Sequence, residues 1–538
     1  MRSTYDFIVV GAGSSGCAVA ARLAASGRFS VLLLEAGPSD FHPFLRVPIG
    51  YAKTIRDSRV NWCYQTEPEV QLGGRRIEWP RGRVLGGSSS INALVHVRGH
   101  RTDYDEWAQQ GCAGWDWNSV NKFFKRQETT TFPSGQHRGK DGPVYVSLPT
   151  DRHTLCEAFL RACEETGIPI AADYNDGELS GAAYFQVNTK RGYRSSASQA
   201  YLRDLRVRAR PVVLTHARVS KIIFNGKKAK GVAFFTAEGA LREANALREV
   251  ILSAGTIGSP HVLVASGIGP RETLLRLGIP VLVNAPQVGS NLQDHFGVRL
   301  VYKCRVPITW NEELGSSWGR AKAALRFALT GRGPFAVSSS QATAFMNTRP
   351  DVRAPDMQVH FMTYSSEKVG TSFHSFPGFT ASVCGLRPRS RGALQFETAS
   401  TDSAPKIRAN YLAHPDDMTD LVAGLELLRR VVHTDALAPF RGDEITPGGQ
   451  ISSPADIEGA ISRLGSTMFH PVGTCRMGND LQSVISPDLR VRGVDNLRVV
   501  DASIMPTIVS GNTNAPAMMI GEKASDLILN AHGETVCP

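Results

Sequence analysis

The chain begins with a glycine-rich turn placed between two apolar runs. The run 7–10 ends directly before Gly11, Gly13 and Gly16, and a second run, 31–34, ends at an acid, Glu35. In a βαβ unit that binds a dinucleotide, the first glycine allows the tight strand-to-helix turn, the second lets pyrophosphate approach the backbone, and the third lets the helix pack on the strand. Phosphate would then lie at the positive N-terminus of that helix. This order predicts a nucleotide cofactor bound near the start of the chain.

The segment between the two runs also has the pattern of a helix. Its apolar residues at 18, 19, 21, 23 and 24 share one face, and Gly27 follows where a helix of this length would end. Glu35 lies about 20 residues beyond the last glycine, the spacing of an acid that binds a ribose hydroxyl. Because a carboxylate repels a 2′-phosphate, the sequence disfavours NADP.

Length and charge narrow the class of protein. A chain of 538 residues predicts two to four domains. The formal net charge is +11, but Lys and Arg are scattered along the chain, so we interpret the excess as surface solvation and expect no nucleic-acid partner. The N-terminus carries only four consecutive apolar residues, and no stretch approaches the ~18 that a membrane span requires. We expect a cytoplasmic protein.

The nine cysteines form neither CxxC pairs nor clusters with histidine. This pattern is typical of reduced thiols in a long intracellular chain. The sequence therefore predicts no metal site and no disulfide framework.

Some later segments belong to the same nucleotide-binding domain, and others indicate a second domain. The strand-like runs 249–252 and 497–500, each apolar except for one charged residue, end in a glycine turn and in Asp501, so we expect both in the same sheet as the first strand. Segments 356–361 and 392–397 alternate apolar with polar residues, which is typical of an antiparallel sheet with one covered face. A helical stripe follows at 418–432. These patterns predict an α/β (α+β) chain with a discontinuous first domain.

At this point the chain resembles the glucose-methanol-choline (GMC) family of flavin-dependent alcohol oxidoreductases, and in particular its bacterial choline-dehydrogenase-like members. The resemblance extends over nearly the whole length. It depends on these ordered blocks: GAGSSG (11–16) with EAG (35–37), RGRVLGGSSSIN (81–92), SAG (253–255) with SGIG (266–269), VGSNLQDH (288–295), FHPVGTCRMG (469–478), and VDASIMP (500–506) with NTN (512–514).

The resemblance implies a Rossmann-like FAD-binding domain formed by residues 1–155, 156–300 and 461–538, with an antiparallel-sheet cap for substrate at 301–460. It implies FAD contacts along 92–95, at the adenine-contacting strand of Val219, and at the pyrophosphate end near Asp501. The complete predicted FAD set is Gly11, Gly13, Ser14, Ser15, Gly16, Glu35, Ala36, Arg83, Gly87, Asn92, Ala93, Leu94, Val95, Val219, Asp501, Ala502 and Asn514.

One position departs from a pattern seen in some members of the family. They carry a histidine that bonds covalently to the flavin where this chain has Ile91. An isoleucine side chain cannot form that bond. We therefore predict noncovalent FAD.

By similarity, His470 is the base that accepts the hydroxyl proton of an alcohol. An imidazole suits this task, because its unperturbed pKa of about 6.5 lies near working pH. Asn512 matches the second active-site position and would hydrogen-bond the same oxygen. We interpret other histidines, namely His42, His100, His216 and His295, as structural.

The substrate prediction depends on one local match. Choline-specific relatives place a Glu in the cap domain to pair with the trimethylammonium group, and the matching segment here contains Gln341 and Phe345. A buried cation without a counter-charge is costly. The sequence therefore predicts a neutral sugar, aryl or aliphatic alcohol.

Several alternatives remain open at this stage. A few members of the family cleave hydroxynitriles without redox turnover, so a lyase is one alternative. A choline dehydrogenase is a second, although it would bury the cation of its substrate without a counter-charge. A flavoprotein without catalytic activity is a third. No motif identifies the electron acceptor, which is oxygen, a quinone or, in assays, an artificial dye. A quinone acceptor would bring the protein to the surface of the inner membrane.

Overall fold

The computed structural model describes residues 2–203 and 209–533. Its strands are β1 Thr4–Val10, β2 Val31–Leu34, β3 Tyr64–Gln65, β4 Glu78–Trp79, β5 Glu128–Thr130, β6 Val144–Val146, β7 Gly181–Tyr184, β8 Thr189–Lys190, β9 Tyr193–Arg194, β10 Val212–Leu214, β11 Arg218–Asn225, β12 Lys228–Phe235, β13 Leu241–Leu252, β14 Ile268–Gly269, β15 Val283–Asn284, β16 Phe296–Cys304, β17 Ala342–Met346, β18 Met357–Met362, β19 Gly378–Gly385, β20 Ala393–Gln395, β21 Lys406–Arg408, β22 Arg441–Thr446, β23 Ser466–Thr467 and β24 Leu497–Val499.

The helices follow the same order along the chain. They are α1 Ser14–Ala25, α2 Pro43–Arg46, α3 Tyr51–Thr54, α4 Arg101–Gln109, α5 Trp117–Gln127, α6 Thr154–Glu165, α7 Ala197–Tyr201, α8 Gly255–Ala265, α9 Arg271–Arg276, α10 Trp310–Gly315, α11 Ser317–Thr330, α12 Pro415–Val432, α13 Pro454–Leu464 and α14 Asn514–Ala531. None of these helices is long and apolar enough to cross a membrane.

The first sheet joins strands from both ends of the chain. Its order is β10-β2-β1-β13-β12-β11, with β24 also paired to β13. Strand β1 runs parallel to β2 and β13, and β24 runs parallel to β13, so the runs 7–10, 249–252 and 497–499 lie in one sheet as expected. Their side chains are fully buried, which suits parallel strands covered on both faces.

The second sheet is antiparallel, with the order β22-β16-β19-β18-β17-β7 and with β23 paired to β16. Strand β18 is buried along its whole length, whereas the sequence predicted one covered face. Helix α6 covers one face, where the rings of Phe159 and Phe361 lie 4.5 Å apart. The other face turns His360 and Met362 toward a cavity. Because α6 lies on one face of β18 and the cavity on the other, residues on both faces of the strand are buried.

Two further segments lie elsewhere than their patterns suggested. Strand β20, in the alternating segment 392–397, pairs with β21 in a separate two-stranded sheet. Strand β7 belongs to the antiparallel sheet although residues 156–300 were assigned to the nucleotide-binding part. The alternating pattern identifies a strand but carries no information about its partner. The domain boundaries themselves stay a prediction.

Candidate active site

A cavity of about 620 Å³ is lined by residues of both sheets. Most of the sequence-predicted site residues lie on its surface. They are Gly11, Gly13, Ser14, Ser15, Glu35, Ala36, Gly87, Asn92, Ala93, Leu94, Val95, Val219, His470, Asp501, Ala502, Asn512 and Asn514. The fold thus brings together positions from the first 36 residues and the last 40.

One part of the surface, which we call the cofactor cradle, consists of residues 11–15, Gly87 and the N-terminus of α14. Gly11 has φ +96°, and a Cβ there would lie 2.4 Å from the Ser253 carbonyl oxygen. A Cβ on Gly13 would meet nothing within 4 Å, so it would extend into the open cavity. A glycine at that position leaves room for a ligand to approach the backbone.

Gly16 has a different task from its neighbours. It is not among the cavity-lining residues, and a Cβ there would lie 1.9 Å from the Gly11 carbonyl oxygen. Its role is close packing of α1 on the preceding turn, the task predicted for the third glycine.

Three helices begin at the cavity, and two of them have no capping side chain. Within the described chain, α1 and α14 show no side-chain hydrogen bond at their N-caps and no acidic residue in their first turns, whereas the first N–H of α8, at Gly255, donates to the Asp501 carboxylate. Residues from the start of each helix line the cavity. Free N–H groups at helix N-termini attract anions, so this arrangement suits a diphosphate and the reduced form of a flavin.

The Glu35 carboxylate is held by the backbone at the end of β2. Its two oxygens accept hydrogen bonds from Ala12 N at 3.0 Å and from Gly37 N at 2.9 Å. Burial raises the pKa of Glu35 to about 7, although these N–H groups oppose the shift. The carboxylate lines the cavity and keeps accepting capacity for a ribose hydroxyl.

Asp501 stabilises a neighbouring turn. One carboxylate oxygen accepts from Gly255 N at 2.9 Å and from the Ser259 hydroxyl, and the other accepts from Ser503 N at 2.8 Å. Burial raises the pKa of this carboxyl. The carboxylate therefore fixes the start of α8 beside the cavity.

The segment 86–95 carries a second turn to the cavity. Gly87 has φ +55°, and a Cβ there would lie 2.7 Å from Gly13 Cα, so the two turns touch through their backbones. Asn92 Oδ1 accepts from Leu94 N at 3.0 Å and from Arg194 Nη1 at 2.8 Å. Leu94 itself has φ +67°, which an L-residue adopts only when its surroundings hold it there.

These features fit FAD. The cradle offers a glycine with open space above it and the N-termini of α1 and α14, which have no capping side chain. Ile91 lines the same cavity at the position where a covalent histidine would stand. The residues present can therefore hold the nucleotide without a covalent bond.

His470 lies at the centre of a chain of hydrogen bonds. Its Nε2 is 2.9 Å from Asn512 Nδ2, and its Nδ1 is 3.0 Å from His295 Nδ1. His295 Nε2 in turn lies 3.0 Å from the Leu386 carbonyl oxygen. The sequence assigned His295 a structural role, whereas the structure places it against the candidate base.

The partners in this chain determine where the protons lie. A carbonyl can only accept, so His295 must donate from Nε2, which leaves a lone pair on its Nδ1. His470 must then donate from Nδ1, and its Nε2 carries the lone pair that accepts from Asn512. The arrangement presents a neutral imidazole with its basic nitrogen beside the amide of Asn512.

The surroundings keep His470 neutral. Burial lowers its pKa well below the ordinary value, with added repulsion from His295, His360 and Arg81. Its backbone N–H donates to Asp294 Oδ1 at 2.7 Å, and burial raises the pKa of that carboxyl to about 6. Asp294 and His295, the two residues of the 288–295 block that contact His470, are thus adjacent in the sequence.

The antiparallel sheet supplies a further part of the cavity surface. Arg299, Ser382 and His360 occupy paired positions on β16, β19 and β18, and all three line the cavity. We call these three residues the substrate wall. Nearby, Gln358 Nε2 donates to Asn512 Oδ1 at 3.4 Å. Sequence reasoning missed these residues, because only strand pairing brings them together.

Besides Gly16, three predicted residues lie away from the cavity. The Arg83 guanidinium donates to the Ser58 carbonyl at 2.9 Å. Gln341 Oε1 accepts from Cys156 Sγ of α6 at 3.2 Å, and the Phe345 ring packs 5.3 Å from the ring of Tyr174. None of the three lines the cavity. The Gln341 side chain therefore contacts helix α6 and does not line the cavity.

Among the described residues, no cluster of three or more His, Cys, Asp or Glu is arranged to hold a metal ion. The remaining histidines that the sequence assigned a structural role act locally. His216 is exposed, and its backbone N–H donates to the Gly37 carbonyl oxygen at 2.9 Å. His42 and His100 accept backbone N–H groups at the starts of α2 and α4.

The chain matches two family models described as GMC oxidoreductase, over residues 5–297 and 388–521. It is 38% identical to an oxygen-dependent choline dehydrogenase of Photobacterium profundum, over 98% of this chain and 94% of that one. It is 37% identical to an alcohol dehydrogenase [acceptor] of Pseudomonas putida, over 98% and 96%.

A solved structure has the same overall fold. It is a formate oxidase of Aspergillus oryzae studied for modification of its FAD, with 26% identity and a TM-score of 0.92. The match covers 99% of each chain.

Proposed function

Because the chain belongs to the GMC oxidoreductase family, we propose that it oxidises an alcohol to a carbonyl compound with His470 as the base. Membership makes the protein an FAD-dependent oxidoreductase that acts on CH–OH donors. FAD, when bound in the cavity, supplies the acceptor for the hydride that leaves the hydroxyl-bearing carbon. What we propose is the role of individual residues of this chain in that reaction.

The observation that carries the role of His470 is the hydrogen-bond chain from Leu386 through His295. It leaves the lone pair of His470 on Nε2, the nitrogen that lies 2.9 Å from Asn512. A substrate hydroxyl placed between these two groups gives its proton to Nε2 while the hydride leaves its carbon. Asn512 Nδ2 donates to the same oxygen and stabilises the negative charge that develops there.

Asn512 must present its NH₂ group for this purpose. Gln358 Nε2 donates to the Asn512 oxygen at 3.4 Å, which turns the amide nitrogen toward His470. Gln358 is therefore a positioning residue for Asn512. A held amide avoids the cost of reorienting a donor during the reaction.

We propose that the cofactor cradle holds FAD noncovalently. The support is Ile91 on the cavity surface and the uncapped helix N-termini around Gly13. Acid precipitation should leave the flavin in the supernatant. Flavin that stays with the precipitated polypeptide would contradict this part of the proposal.

The substrate we propose is an alcohol that is not a quaternary ammonium ion. The cavity surface carries the guanidinium of Arg299 and the ammonium of Lys368, while Glu367, also on that surface, has a carboxylate 3.2 Å from His374. A trimethylammonium group would enter a positive environment. This charge distribution supports the proposed substrate class, whereas Gln341 does not, because it lies away from the cavity.

The test is an anaerobic titration of the purified holoenzyme with alcohols, followed by visible absorbance. Loss of the flavin band with an alcohol that lacks a cation, and not with choline, supports the proposal. Recovery of the band on admitting air identifies oxygen as an acceptor, and recovery only with a quinone or a dye identifies a dehydrogenase. No bleaching with any alcohol would favour a lyase, and faster reduction by choline than by the other alcohols would overturn the substrate class.

A further inference from the structure

The substrate wall contains an arginine whose charge is not compensated. Arg299 Nε and Nη2 are buried and have no hydrogen-bond partner among the described residues. Its Nη1 approaches only the Glu367 carbonyl oxygen, at the long distance of 3.5 Å. No carboxylate of the described residues lies within 4.0 Å of this guanidinium. Other buried arginines, such as Arg98 and Arg138, are paired with Glu128.

The neighbours of Arg299 offer no substitute for a carboxylate. Burial lowers its pKa, and the tyrosines that surround it, Tyr51 and Tyr364, hydrogen-bond each other at 3.0 Å. Glu367, the acid whose charge acts on Arg299, is 85% exposed and contacts His374. A buried, unpaired charge is expensive unless a ligand satisfies it. The arrangement therefore favours an anion that arrives with the substrate.

The position of Arg299 relates it to the reacting groups. Arg299 pairs with Ser382 across β16 and β19, and Ser382 pairs with His360 across β19 and β18. Two strand spacings separate Arg299 from His360, about 10 Å between Cα atoms. His360 lies close enough to His470 to lower its pKa. The guanidinium thus lines the same cavity as the base, at a distance from it.

We propose that Arg299 binds an anionic group at the end of the substrate remote from the reacting hydroxyl, so that the natural substrate is a hydroxy acid with a spacer between its carboxylate and its alcohol carbon. The inference rests on the proposed function, since it places the hydroxyl at His470 and Asn512. A carboxylate matches the planar fork of a guanidinium and accepts two parallel hydrogen bonds. The neutral alcohol predicted from the sequence lacks this contact.

The His360 side chain supports the same assignment. Its Nε2 is buried without a hydrogen-bond partner in the described part of the chain, and burial lowers its pKa to about 3. A neutral imidazole can donate or accept, so it adds a polar contact to the substrate without adding charge. The wall thus has one charged end, at Arg299, and one neutral end, beside His470.

The experiment compares matched substrates on the holoenzyme. The probes are 4-(hydroxymethyl)benzoate, 4-methylbenzyl alcohol and choline. We expect the acid to have a kcat/KM roughly tenfold or more above that of the neutral alcohol, mainly through KM. In Arg299→Gln the ratio of the two values should fall by about tenfold, and Arg299→Lys should recover part of it. Lys303→Gln, on the same strand and outside the cavity, is the matched control.

A binding measurement separates this inference from the proposed function. 4-Methylbenzoate has no hydroxyl to oxidise, and its binding is read from the shift of the flavin absorbance. Tighter binding by the unmodified protein than by Arg299→Gln, with FAD content and melting temperature equal, supports the anionic site even if no alcohol bleaches the flavin. Equal binding by both, or equal kcat/KM for acid and neutral alcohol, overturns it while leaving alcohol oxidation at His470 in place.

Discussion

The cofactor cradle and the substrate wall line one cavity but are built from different groups. The cradle presents backbone: glycines without a Cβ and the free N–H groups at helix N-termini. The wall presents side chains of three strands, Arg299, Ser382 and His360. Phosphate recognition by N–H groups depends little on side-chain identity, whereas the wall's chemistry changes with each substitution. Changes in the cradle should therefore alter occupancy by FAD, and changes beside the wall should alter turnover and selectivity.

The largest effect should come from removing the proposed base. His470→Ala should lower the rate of flavin reduction by about 10²–10⁴, the range for loss of a general base. FAD content should stay normal, because His470 makes no contact in the cradle. The measurement is anaerobic stopped-flow reduction, with His414→Asn as the control. His414 is exposed at the start of α12, where Asn is a good N-cap. Near-normal reduction would remove His470 from the mechanism.

The cradle can be altered without touching the base. Gly13→Val places a side chain in the open space above the turn, where it would exclude a diphosphate. We expect FAD to bind about tenfold to a hundredfold more weakly, the loss of one or two charge-assisted hydrogen bonds. The measurement is titration of the apoprotein with FAD. Gly449→Ala is the control, since nothing lies within 4 Å of its Cβ and its φ is not positive. Unchanged affinity would contradict the assignment of Gly13.

The same contrast explains how much the sequence could predict. The N-terminal part of the cradle, residues 11–15, was predictable because the strand, glycines, helix and acid around it lie within 35 residues, and their spacing follows from local geometry. Four strands of the first sheet were predictable from runs that are apolar throughout, at 7–10 and 31–34, or apolar except for one charged residue, at 249–252 and 497–500. Arg299, His360 and Ser382 were not predictable, because they meet only through the register of three strands that are distant in sequence. A one-residue shift would place each side chain on the other face.

His295 shows a second limit. A single histidine gives no signal of its own, since most are structural. Its position next to Asp294, at the end of the matched 288–295 block, was the available signal, because both residues contact His470 in the structure. Gln341 shows a different limit. A local match placed it where choline-specific relatives carry an acid, but its side chain contacts Cys156 of α6.

The tautomer of His470 can be tested through its neighbour. His295→Leu removes the acceptor for His470 Nδ1–H, so the Nε2 lone pair is no longer enforced. We expect flavin reduction to slow about threefold to tenfold, the value of one hydrogen bond. His295→Asn is the matched variant, because its side-chain oxygen can accept in place of Nδ1 and should restore part of the rate. Equal rates in the two variants would show that His295 acts only through packing.

The pH profile offers a smaller effect with a definite sign. In the proposed reaction His470 acts as a neutral base, and burial lowers its pKa well below 6.5. Flavin reduction should therefore stay constant within about twofold from pH 8 down to 6.5 and fall only at lower pH. Asp294, with its pKa raised to about 6, titrates in the same region. If the fall in rate at low pH disappears in Asp294→Asn, that fall is caused by the Asp294 carboxyl. A fall in rate that begins above pH 7 would contradict the neutral state assigned to His470.

The smallest effect should come from Gln341. If it contacted the substrate, replacing it would change selectivity, but its amide oxygen accepts from Cys156 Sγ at 3.2 Å and its side chain does not line the cavity. Gln341→Ala should therefore change the ratio of kcat/KM for choline to that for 4-methylbenzyl alcohol by less than about twofold, while losing about 1 kcal/mol of stability with its hydrogen bond. Arg299→Gln is the comparison, because it removes the charge that repels choline and should move the same ratio further. A larger change in Gln341→Ala than in Arg299→Gln would show that the segment around Gln341, and not the substrate wall, determines substrate selectivity.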